Sequence, residues 1–148
     1  MNETVLRELG LSEALIEHIF DYKQSADLAY RVQSAQYWQT SPIAQRKIVP
    51  LWECGTTLTY FDQSSQTYRR CSLEDINIDW FRYQSLQAVL ARLLIDLYED
   101  ELPDEQLLLV AMHIGFGNAE HLLVQAKAQN SATYRAWAQA FPLAYEAQ

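Results

Sequence analysis

The sequence predicts an α+β domain: N-terminal helices, a small antiparallel β-meander with a central hairpin, then C-terminal helices. Three observations predict it. Apolar residues recur at helical spacing in the first third of the chain and again through the second half. Between these stretches the composition becomes β-branched and aromatic, with a polar turn flanked by two strand-like runs. The two patterns are segregated along the chain instead of alternating, which disfavours a doubly wound sheet.

The run from Val5 to Leu11 has the spacing of a short helix that Gly10 stops. Ser12 opens a second helix through Leu15, Ile16, Ile19 and Phe20. A third is predicted over 25–37, where Leu28, Ala29, Val32, Ala35 and Gln36 follow three-four spacing, and Pro42 closes the helical region. Residues 47–52 then form a short apolar strand that Pro50 confines to a sheet edge. Residues 57–61 and 67–73 form a hairpin around the polar turn at 62–66. From Ser85 to Tyr98 the residues Leu86, Val89, Leu90, Leu93, Leu94 and Leu97 mark the strongest amphipathic helix. Asp100 to Pro103 breaks it, and Asp104 is placed to cap the next helix, through Leu107 to Ile114. Gly115-Phe116-Gly117 ends that helix. Asn118 is placed to cap another reaching Gln129, and Ser131 a last one containing Tyr134, Trp137 and Phe141.

All 148 residues are expected to form a single domain, 1–148, since no Pro/Gly/Ser linker or repeat divides them. A chain this long buries enough surface to stand without a metal or disulfide. The first residues, Met1-Asn2-Glu3-Thr4, lack a basic region followed by an apolar run, and no apolar stretch is long enough to span a membrane. The expected location is therefore cytoplasmic, where thiols stay reduced. Cys54 and Cys71 read as apolar fillers, with a disulfide across the hairpin left open.

The net charge is −8, from 19 acids and 11 bases, which argues against nucleic acid and anionic membranes and for a basic partner. The excess is uneven. From Asp96 onward eight acids face only Lys127 and Arg135, a net −6. The candidate protein-binding residues are therefore Asp96, Glu99, Asp100, Glu101, Asp104 and Glu105. A block of carboxylates on one turn differs from a hydrolase pair, which spans a cleft. Its bland counterpart is a solvated turn. Trp52, Tyr60, Tyr68, Trp80, Phe81 and Tyr83 gather near the sheet, and alternation sends the rings of Tyr60 and Phe61 to opposite sides. An exposed ring among them, beside charges, would be a binding anchor.

No catalytic, metal or cofactor motif stands out. Gly115-Phe116-Gly117 lacks the third glycine of a dinucleotide fingerprint and follows a helix, not a strand. His113 and His121 flank that joint with Glu120 as the only nearby further ligand, and zinc spacings are absent. Neither cysteine sits at a predicted helix N-terminus, where a thiolate would be stabilised.

The segment Ile48-Val49-Pro50-Leu51-Trp52-Glu53-Cys54-Gly55, with Thr57–Phe61, Tyr68–Leu73 and the helix after Trp80, resembles the SUKH superfamily. That group is named for Smi/Knr-like cell-wall regulators and bacterial immunity domains. The resemblance covers residues 45–98 and rests on the order of elements: helices, a strand near a proline, a hairpin, a helix. The glycine-rich acidic turn often seen between the strands is missing, and the helices after Tyr98 lie outside the pattern. The resemblance implies a non-enzymatic bacterial protein that binds and neutralises a toxin, often a nuclease. It carries over no functional residue, because no residue-level motif matches.

The leading expectation is thus a non-enzymatic intracellular protein-binding domain, in its sharpest form an immunity protein that occludes a basic toxin. A small enzyme or ligand-binding domain is a second expectation, with a pocket between the sheet and the C-terminal helices and His113, His121 and Cys71 as the residues to test. A structural or oligomerising subunit is a third.

Overall fold

Four strands form one antiparallel meander in the order β1-β2-β3-β4: Ile48–Cys54, Thr57–Asp62, Thr67–Ser72 and Asp79–Tyr83. The structure, a computed structural model, describes residues 2–147. Two helices precede the sheet, α1 (Glu3–Leu9) and α2 (Glu13–Ile19). Four follow it, α3 (Leu86–Glu99), α4 (Asp104–Ile114), α5 (Ala119–Ala128) and α6 (Tyr134–Ala140). The fold is α+β, with helices at both ends of a central meander. As the spacing predicts, Gly10 and Gly115 close α1 and α4 with positive φ, 97° and 88°. Ser12 caps α2 by accepting from the Leu15 N–H. β1 is an edge strand, and a bulge between Pro50 and Trp52 absorbs the proline.

Register places the two faces of the sheet. Val49, Phe61, Tyr68 and Tyr83 share one face with Trp52, Thr59, Arg70 and Phe81. This face packs against α3 and holds the main apolar core, where Leu90, Leu93, Leu94 and Ile95 are buried. The opposite face carries Leu58, Tyr60 and Cys71, covered by Ile43 and Trp38 from the chain segment before β1. The rings of Tyr60 and Phe61 do point apart, and both are buried because each face has a lid.

The predicted helix over 25–37 does not form. Its apolar spacing is real, since Leu28 and Val32 are both buried, but only a turn links them, through Val32 N–H to Leu28 O at 2.8 Å. Beyond it, Gln33 pairs with Glu53 of β1, each backbone N–H bonding the other's carbonyl. The fully buried Glu53 carboxylate then accepts from the N–H groups of Gln36, Tyr37 and Trp38 at 2.9–3.2 Å. These partners satisfy the backbone without a helix and open a short 3-10 helix, Tyr37–Thr40. His18, buried on α2, secures the same segment. Its Nδ1 accepts from the Ser25 N–H at 3.0 Å, so its Nε2–H donates to Val32 O at 2.7 Å.

Sequence spacing also misses β4, although Trp80-Phe81-Arg82-Tyr83 has strand composition. Two predicted caps shift, and a third holds its position without a side-chain bond to the backbone. Pro103 occupies the N-cap of α4, with Asp104 inside the first turn. Asn118 sits at the N-cap of α5 without bonding its backbone; its amide donates to the Tyr145 hydroxyl at 3.3 Å. Thr133, not Ser131, precedes α6. Cys54 and Cys71 lie on β1 and β3 with β2 between them, and both thiols are free. Two strand spacings exceed the reach of a disulfide.

Candidate functional site

The turn between α3 and α4 carries the predicted acidic residues, and folding divides them into two groups. Asp96, Asp100 and Asp104 are held by cations. Asp96, 2% exposed on α3, receives Arg70 of β3 at 3.2 Å and Arg92, one helical turn earlier, at 3.0 Å. It is the centre of a buried Arg-Asp-Arg triad and cannot meet a partner directly. Asp100 accepts both the Nε and the Nη2 of Arg31 at 2.7 Å. That fork holds the Asp100 carboxyl below the usual carboxylate range and the guanidinium of Arg31 above its own. Asp104 pairs with Lys127 of α5.

Glu99, Glu101 and Glu105 form the second group, all exposed. Glu99 lies 3.6 Å from Arg92, and partial burial beside Asp96 pushes its carboxyl up. Glu101 and Glu105 have no ion-pair partner among the described residues. Glu101 is also one of few non-glycine residues in the left-handed region, at φ 66°. The acidic face is therefore real but smaller than the sequence implies, because Arg31, Arg70 and Arg92 reach it from elsewhere in the chain.

A groove of about 400 Å³ separates β4 from the C-terminal segment. Residues 80–83 of β4 line one wall, Gln139 and Leu143 the other, with Arg70 and Arg92 between them. The Arg70 guanidinium lies over the Phe81 ring at 4.9 Å, and Phe81 stacks on Tyr83 at 4.5 Å. Burial pushes the Tyr83 hydroxyl up to about 12. Trp80 is 61% exposed. The exposed ring beside charges is thus Trp80, whereas the Tyr60–Phe61 pair, where alternation points to one, is buried on both faces. Arg82 is exposed as well, with no ion-pair partner among the described residues. Sequence reading misses the arginines of this groove, since they come from β3, β4 and α3 and only pairing brings them together.

His113, His121 and Cys71 do not converge. His113 borders a cavity between α2 and α4, His121 another at the α4–α5 joint, and Cys71 is buried under the far face of the sheet. None of them lines the groove between β4 and the C-terminal helices. Burial pushes the Cys71 thiol up to about 11, away from the reactive thiolate. Among the described residues no group of three or more His, Cys, Asp or Glu is placed to hold a metal ion. No helix among them is long and apolar enough to cross a membrane. No family model matches the sequence, and neither curated proteins nor solved structures show a match to the chain.

Proposed function

We propose that this chain is a non-catalytic protein-binding domain that recognises a basic partner protein through the α3–α4 turn. One observation carries the reading. Internal ion pairs engage Asp96, Asp100, Asp104 and, at 3.6 Å, Glu99, yet Glu99, Glu101 and Glu105 stay exposed together on the turn and the helix ends that flank it. Clustered charge of one sign raises the encounter rate with an oppositely charged surface more than it slows dissociation. The resemblance of residues 45–98 to SUKH immunity-type domains supports a toxin as the partner, with a cationic nuclease as its sharpest form.

The test is stopped-flow association with a panel of cationic nuclease toxin domains. The triple reversal Glu99→Lys, Glu101→Lys and Glu105→Lys is expected to slow association by about tenfold or more, with dissociation little changed. The native rate should fall steeply with salt, since exposed charges are screened within about 10 Å at 0.1 M. An association rate indifferent to both the reversal and salt would rule the reading out.

A further inference from the structure

We infer that the open flank of β4 is a docking edge for an extended, acidic peptide segment, which adds to the sheet as a fifth strand. The proposal concerns a surface separate from the α3–α4 turn and does not depend on it.

The two edges of the sheet are treated differently. β1 is blunted by Pro50 and its bulge, and Gln33 pairs with it from outside. β4 also bulges, at Trp80, but it has no proline and no lysine, and among the described residues no strand lies beyond it and no backbone hydrogen bond outside the sheet involves residues 79–83. Its outer N–H and C=O groups are free to pair.

The groove described above runs along this same flank. Successive strand residues point to opposite faces, so a cavity on one face would be lined by every second residue. This one is lined by Trp80 at the bulge and then by Phe81, Arg82 and Tyr83 in succession. A ligand lying there meets the edge of the backbone, which is the geometry of strand addition.

Charge selects the occupant. Around the groove stand Arg70, Arg82 and Arg92, facing Asp96 and, at 3.6 Å from Arg92, Glu99. The lining itself holds these three arginines and no carboxylate, with Asp96, Glu99 and Glu146 standing behind it, in a chain of net charge −8. Arg82 has no ion-pair partner among the described residues, and Arg70 and Arg92 each keep one terminal nitrogen outside the contacts to Asp96 and Glu99. Arg82 can therefore take a carboxylate in fork geometry, while Arg70 and Arg92 can each add a single hydrogen bond. Trp80 and Leu143, both more than half exposed, supply apolar contact for the side chains between the acids.

The probes are a labelled octapeptide of glutamate and valine, a version with lysine for glutamate, and a glutamate version N-methylated at alternate residues. The first should bind saturably and slow hydrogen exchange at the amides of residues 80–82. Arg82→Glu and Trp80→Ala should each weaken it by about tenfold, with unchanged circular dichroism, as should lysine substitution or N-methylation of the peptide. Glu101→Lys with Glu105→Lys should leave it within about twofold, since neither carboxylate pairs with an arginine of the groove. Equal binding of the N-methylated peptide overturns strand addition, and indifference to Arg82→Glu overturns the charge selection. Binding of inorganic phosphate or single-stranded RNA in place of the peptide overturns the proposal. So does a β4-mediated dimer that excludes the peptide.

Discussion

At Asp96 a single carboxylate bridges two arginines in a site nearly closed to water. Removing one member of such a group leaves uncompensated buried charge, so Asp96→Ala should lower stability by about 3–5 kcal/mol in urea unfolding. The neighbouring acids respond to pH with opposite signs. Asp100 has a depressed folded pKa, so its contribution is present above its unfolded pKa and is lost as pH falls through the folded one. Glu99 has a raised folded pKa, so its contribution is present below the unfolded value and is lost as pH rises through the folded one. Glu99→Gln should therefore be more stable than the native chain at about pH 7 and equal to it at about pH 3, in parallel denaturant titrations. The cysteines separate by burial. Ellman's reagent should label the half-buried Cys54 in the native protein and reach Cys71, fully buried, only on unfolding.

Among the elements, those with strong periodicity are legible in the sequence and those held by a distant side chain are not. Five buried leucines and Val89 of α3 repeat at helical spacing, and α3 forms as predicted. Its start depends on Ser85, which accepts from the Ala88 N–H and donates to the Tyr145 carbonyl at 2.6 Å. Ser85→Ala should cost about 1–2 kcal/mol in thermal or urea unfolding, because both partners lose their bond in a buried place. Residues 25–37 show the opposite case. Their pattern is helical, but Glu53, from a strand later in the chain, claims the backbone of 36–38. β4 is missed for a related reason: a five-residue strand acquires its identity from β3 beside it. The α3–α4 turn is a third. Glu101 adopts a left-handed conformation that favours glycine. Glu101→Gly should raise stability by about 0.5–1 kcal/mol while slowing association with a basic partner, which separates the folding role of this position from its binding role.

Over the whole molecule, charge is sorted by tertiary contacts more than by sequence. Counted along the chain, the segment after Asp96 opposes eight acids with two bases. In space, Arg31, Arg70 and Arg92 reach into it, leaving a smaller acidic turn and an arginine-lined groove beside β4. What the sequence by itself determined is the order of helices, hairpin and helices, the edge position of β1, the glycine stops and the excess of acid. Each is a local property, set by side-chain period, backbone sterics or composition, and so survives without knowledge of distant residues. What only the tertiary structure decided is which acids remain free, where the exposed tryptophan lies, why 25–37 is not a helix, and that the two cysteines stand two strands apart. These depend on partners many residues away in the chain, and a buried charge or backbone group takes whatever partner folding brings to it.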